Sequence, residues 1–142
     1  MELAEIGKNI LINCMNVKPG ENVLIVTDDE KYAIGQALYQ AAKLLKAEAM
    51  LMTMPAREVS GQEPPAVVAA AMKAADVVIC PMKTSITHTR AKIEAAEAGA
   101  RIATMPGITE EMFAMGAMTA DYSRVMALTE QVTDLLTNAN TA

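Results

Sequence analysis

A basic surplus is missing from this sequence: 12 Lys and Arg stand against 17 Asp and Glu, for a net charge of −5 and a pI near 4.9. Releasing counterions from a phosphate backbone needs the opposite balance, which argues against nucleic acid as a general partner, and an acidic membrane surface is disfavoured for the same reason. Long apolar runs are missing too. No stretch approaches the roughly 18 apolar residues of a membrane span. The opening MELAEIGKNILINCMNV carries Glu2 and Glu5 where a secretory signal is basic. A cytoplasmic protein is expected.

Cysteine and histidine are scarce. Cys14 and Cys80 lie far apart with no C-x-x-C spacing, and His88 is the only histidine. Metal centres need three or four clustered ligands and disulfide frameworks more cysteines, so the expectation is two reduced, partly buried thiols. The catalytic signatures H-E-x-x-H and G-x-S-x-G are absent. The turn TDDEKYAIG after the first apolar run lacks the glycines that let a backbone approach a pyrophosphate, so dinucleotide and P-loop binding lose their main support. Aromatics are few: one Phe, three Tyr and no Trp, against 12 Met. Methionine is adaptable filler for cores and for surfaces that dock partners. Met112, Met115 and Met118, beside Phe113, suit either use.

What is present describes a folded domain. The chain is 52% hydrophobic and 20% charged, neither disordered nor low in complexity. Its 142 residues suit one domain burying roughly 68 to 70% of its unfolded surface. Leu3, Ile6, Ile10 and Cys14 recur at helical spacing before Pro19-Gly20. NVLIVT (22–27), EAMLMTM (48–54), DVVICP (76–81) and ARIATM (100–105) read as strands, Pro81 ending the third. Between them lie helical patterns, the first with Asp28 and Asp29 as caps, the second opening at Pro64-Pro65, the third capped by Thr87 and closed by Gly99. Alternating strands and helices imply right-handed crossovers and a small doubly wound, Rossmann-like parallel sheet of four strands in the order 2-1-3-4, helices on both faces. A C-terminal helix over about 121–138 is expected to pack on it. The methionine surplus and the abrupt ending LLTNANTA suggest one piece of a longer protein.

In such a sheet, ligands bind beyond the C-terminal strand ends where the order reverses, here between strands one and three. Thr27, Asp28 and Asp29 would line one side and Lys83 to Arg90 the other. The candidate edge for a ligand or anion is Thr84, Ser85, Thr87, His88, Thr89 and Arg90, with Asp28 and Asp29 opposite. A helix starting at Thr87 offers free N–H groups to one carboxylate or phosphate, although Ser and Thr are also ordinary caps. His88, as an imidazole, suits a general base, but no nucleophile pairs with it in the sequence. Asp28 and Asp29 suit a cation or amine, or one cap and one solvated acid.

SITHTRAKIEAAEAGARIATMPGIT (85–109), with PGENVLIVTDD (19–29), resembles the N-terminal domain of the aminopeptidase T family of thermophilic leucyl-type metallo-aminopeptidases. Its most specific part is T-H-T-x-A…G-x-R-I-x-T-M-P-G. The resemblance implies a cytoplasmic exopeptidase that acts on peptides through two divalent ions, zinc, cobalt or similar, held by a C-terminal catalytic domain. No metal ligand and no catalytic residue then falls in this chain, which on its own would be inactive and would support, shield or help form a homodimer of that half. The same family includes an iron-dependent ring-cleaving dioxygenase of dihydroxypyridine. A stand-alone small-anion-binding module is the reading from a different class.

Overall fold

The structure is a computed structural model that describes residues 2–141. Helix α1 (Leu3–Asn13) leads into strand β1 (Asn22–Asp28), α2 (Tyr32–Leu44), β2 (Glu48–Met54), α3 (Ala66–Ala74), β3 (Val77–Met82), α4 (Arg90–Glu97) and β4 (Arg101–Pro106). A short α5 (Glu110–Ala114), a 3-10 turn (Gly116–Thr119) and α6 (Tyr122–Thr137) follow. The sheet is parallel, in the order β2-β1-β3-β4.

The strand sequences explain why β1 and β3 are central. Both are apolar on consecutive positions, which only a strand covered on both faces can bury. Val23 and Ile25 of β1, with Val77 and Ile79 of β3, face a core built with α1, α2 and Phe113 of α5. Leu24 and Val26, with Val78, Cys80 and Met82, face a second core built with α3 and α4. Helix α2 closes the first face with Ile34, Leu38, Ala41 and Ala42, each at most 1% exposed. Truncating a residue so placed, as in Leu38→Ala, costs about 2 to 5 kcal/mol. On the second face α4 packs with Ala91 and Ala95 buried.

Several details differ from the sequence expectation. Strand β3 runs through Pro81 to Met82, because a residue without an N–H is tolerated where the ladder does not require that donor. Helix α4 begins at Arg90 with Thr89 as N-cap, whose Oγ1 accepts from the Lys92 N–H at 3.3 Å. Thr87 lies one turn earlier, its hydroxyl 2.9 Å from that of Thr104 on β4. Gly99 closes α4 with φ +106°, a conformation open to glycine without strain. Cys14 is exposed rather than partly buried, and Cys80 is buried. The largest departure is α6, which has no buried residue and does not pack on the sheet.

Candidate functional site

The switch point lies between β1 and β3, and the residues on its two sides are bonded to each other. β1 pairs with β2 along all seven residues from Asn22 to Asp28, and β3 with β4 along six. β1 and β3 pair only at Val23–Ile25 and Val77–Ile79. Beyond Ile25 and Ile79 the ladder ends, Pro81 having no N–H to give, at the switch point of the strand order. Side chains bridge the two strand ends there. The Thr27 hydroxyl donates to the Pro81 carbonyl at 2.9 Å. Asp28 Oδ2 accepts from the Lys83 N–H at 2.6 Å, while Oδ1 accepts from the N–H groups of Glu30 and Lys31, both at 3.1 Å. Thr27 and Asp28 are each 0% exposed. Asp28 therefore ties the end of β1 to the turn before α2 and to the end of β3. Asp29 next to it is exposed.

The polar segment after β3 is likewise occupied by its own chain. Ser85 Oγ donates to Thr87 Oγ1 at 2.9 Å and accepts from the Thr87 N–H at 3.2 Å. The Ser85 N–H donates to Ser60 Oγ at 3.1 Å, and the Gly61 N–H donates to the Ser85 carbonyl at 2.8 Å. Thr89, 1% exposed, donates from Oγ1 to the Ile86 carbonyl at 2.7 Å besides capping α4. Thr84 is half-buried in the turn, and His88 and Arg90 are exposed. The Arg90 guanidinium pairs with Glu94 one turn along at 3.2 Å.

Glu63 is the residue that sequence reading missed. Its Oε1 accepts from the Arg90 N–H at 2.6 Å and its Oε2 from the Ala91 N–H at 3.2 Å. A carboxylate from the β2–α3 loop thus sits where an external carboxylate or phosphate was expected, satisfying the free donors at the positive end of α4. No spacing rule could have found it, since Glu63 lies 27 residues before Arg90. Glu30 was missed as well. Its Oε1 lies 3.0 Å from Lys83 Nζ, and this bond, followed by the charges of Glu30, Glu58 and Asp28, holds the Lys83 ammonium above its usual range.

Two depressions lie nearby. One of about 190 Å³ is lined by Glu30, Lys31, Ile34, Ile108, Thr109 and Glu110, between the β1–α2 and β4–α5 turns. The other, about 400 Å³, is bordered by Met112, Met115, Gly116 and Met118. The methionine-rich segment divides its work: Phe113 is fully buried in the core, whereas Met112 and Met115 are more than half exposed.

Residues 2–141 match the family model of NicX, 2,5-dihydroxypyridine 5,6-dioxygenase. The chain belongs to the NicX family. Among solved structures, the 2,5-dihydroxypyridine dioxygenase of Pseudomonas putida KT2440 is similar, with a TM-score of 0.59 and 18% identity over 73% of this chain. At that identity the likeness speaks for the fold. The chain spans 33% of the length of that protein. No curated protein sequence matches it.

Membership in the NicX family overturns the resemblance to aminopeptidase T, and with it the metallopeptidase activity, the peptide substrate and the partnership with a peptidase catalytic domain. The physical reason lies in which residues carried the resemblance. The 19–29 and 85–109 segments supply β1, the turn after β3, α4 and β4. They include scaffold positions such as Asp28, Thr89 and Ala95, whose side chains bond to the backbone or fill the core and so mark an architecture while leaving the chemistry open.

A NicX-type dioxygenase implies a divalent metal ion in the parent protein, as expected, whereas a zinc or cobalt pair loses its basis with the peptidase. The residues described here do not fit such an ion. Among them no three His, Cys, Asp or Glu side chains are grouped to hold a metal. Among them, too, no helix is long and apolar enough to cross a membrane.

Proposed function

We propose that this chain is one α/β domain of a longer, two-domain NicX-type dioxygenase that opens the ring of 2,5-dihydroxypyridine with dioxygen at an iron ion. The observation that carries the reading is the family match along residues 2–141; among the described residues no three His, Cys, Asp or Glu side chains are grouped to hold a metal. In this reading the chain supplies a rigid scaffold, and the iron ligands belong to the remainder of the enzyme. The candidate edge at Thr84, Ser85, Thr87, His88, Thr89 and Arg90, with Asp28 and Asp29, keeps one role open. Exposed His88, Arg90 and Asp29 can meet a neighbouring domain or the rim of its site, while Asp28 and Thr89 hold the fold. The stand-alone anion module is disfavoured, because Glu63 already fills the α4 start. A cytoplasmic setting suits two cysteines that are both unpaired.

The test is dioxygen uptake, with loss of substrate absorbance, on 2,5-dihydroxypyridine plus ferrous iron. The protein from the complete reading frame should consume both substrates, and the 142-residue chain neither. Ring cleavage by the short chain, or none by the longer protein, refutes the reading.

A further inference from the structure

The feature that neither core nor crevice absorbs is α6. Every residue from Ser123 to Thr137 is exposed. Val125, Leu128, Val132 and Leu135 are 44, 58, 52 and 73% exposed. Their spacing of three, four and three is that of a helix-pairing seam, and at 3.6 residues per turn they lie within about 80° of the helix circumference. Glu130 and Asp134 fall on the far side of the helix, and Arg124 flanks the seam at its N-terminal end. The seam is therefore free of negative charge. Leaving four such side chains in water forgoes burial that is favourable by about 25 cal/mol for each Å² covered.

We infer that this seam is the docking site of an amphipathic helix from the remainder of the same NicX-type chain, one with an apolar row to pack between Val125 and Leu135 and a carboxylate placed to meet Arg124. The inference rests on the proposed function, since it takes the chain as part of a longer dioxygenase. Size selects this occupant over a separate protein. Val125 to Leu135 is three helical turns, about 15 Å long at 1.5 Å per residue. Such a strip falls short of the roughly 1,200 Å² that a stable complex between separate chains buries. A tethered occupant needs far less, because the linker holds it at an effective concentration on the order of millimolar. The family match reaches residue 141 and so includes α6, and the similar solved dioxygenase is about three times as long as the part this chain spans.

Hydrogen exchange on the protein from the complete reading frame tests this, comparing wild type with the double variant Leu128→Asp, Val132→Asp. Both substituted positions are exposed in the described domain, so β1 and β3 amides should exchange alike in the two proteins and report an intact fold. The α6 amides of the wild type should exchange at least tenfold more slowly than those of the double variant, at every protein concentration. Glu130→Ala, on the opposite side of the helix, should leave them slow. Equal α6 exchange in wild type and double variant, in a protein that cleaves the ring, overturns the inference alone. Protection that grows with protein concentration overturns it in favour of a second copy. A reading frame with no further domain, or a longer protein inert on dihydroxypyridine, instead refutes the functional reading beneath it.

Discussion

Replacing Asp28 with alanine removes a side chain that joins β1, the start of α2 and β3. The cost can be worked from its three acceptor contacts. All three bonds are part-buried, but Glu30 and Lys31 sit in a turn whose Glu30 is exposed, so water can replace the lost carboxylate and each contributes the net value of an ordinary hydrogen bond, about 1 kcal/mol. The Lys83 N–H makes the shortest of the three, 2.6 Å across the ends of β1 and β3, and stranding it costs about 1 to 3 kcal/mol. Asp28→Ala should therefore destabilise the chain by about 3 to 5 kcal/mol, a large share of the 5 to 15 kcal/mol typical of a domain. Urea unfolding followed by circular dichroism should show the midpoint falling by about 1 M or more, given slopes of about 1 to 3 kcal/mol per M. Asp28→Asn keeps the shape but has one acceptor oxygen. It can serve the turn or Lys83, not both, and places an NH₂ against a donor on the other side, so it should cost at least about 2 kcal/mol. Asp29→Ala, exposed and one residue away, should stay within about 0.5 kcal/mol. A loss below about 1 kcal/mol for Asp28→Ala, or an equal loss for Asp29→Ala, would refute the clamp.

Gly35→Ala should lower the thermal midpoint although alanine favours helices. A Cβ there would stand 2.8 Å from Cβ and Cγ2 of Thr27, and forcing α2 off β1 costs about 1 to 3 kcal/mol against a propensity gain of about 1. A thiol reagent at pH 8 should titrate one cysteine in the native protein, exposed Cys14, and the second only on unfolding, because burial pushes the Cys80 thiol up to about 12. Two rapidly reacting native thiols would contradict the burial. Glu21 accepts a 2.7 Å bond from Arg101 and another from the Lys18 N–H, which together hold its carboxyl below the usual 4.5. With its folded value depressed, the stability that Glu21 contributes is present above pH 4.5 and lost as pH falls through the lower folded value. Glu21→Gln should accordingly be less stable than wild type at pH 7, by no more than about 1 kcal/mol for so exposed a pair, and the difference should vanish in strong acid. A difference that persists there would point to packing instead.

The fold was legible because parallel strands buried on both faces have a distinctive appearance. NVLIVT and DVVICP are continuous apolar runs bounded by polar or turn residues, and the helical spacings between them leave few ways to assemble the sheet. The candidate site was legible in place but not in state. The strand order located the opening beside Thr27 and Asp28, yet whether those groups face a ligand or the chain's own backbone depends on contacts such as Asp28 to Lys83, 55 residues apart. The C-terminal helix shows the same limit. Its apolar spacing announces that one face is to be covered and carries no information about what covers it, so packing on the sheet was expected and the structure leaves that face bare.

The loop over 55–65 explains why a crest so rich in hydroxyls and charges offers no external ligand an easy place. Ser60, Gly61 and Glu63 fasten it to Ser85, Arg90 and Ala91, and each bond uses a group that would otherwise face water at the C-terminal end of the sheet. An incoming anion at the α4 start would have to displace a carboxylate already held there by its own chain, a competitor at an effective concentration on the order of millimolar or more. The groups that the topology gathers at its switch point are thus largely consumed in closing it. In a doubly wound domain with a working site, by contrast, some backbone donors stay free at the crevice for the ligand. The larger exposed apolar surface lies elsewhere, along α6 and beside Met112 and Met115. A domain whose crest bonds mostly to its own chain and whose exposed α6 row is apolar has the character that the proposed scaffold role requires.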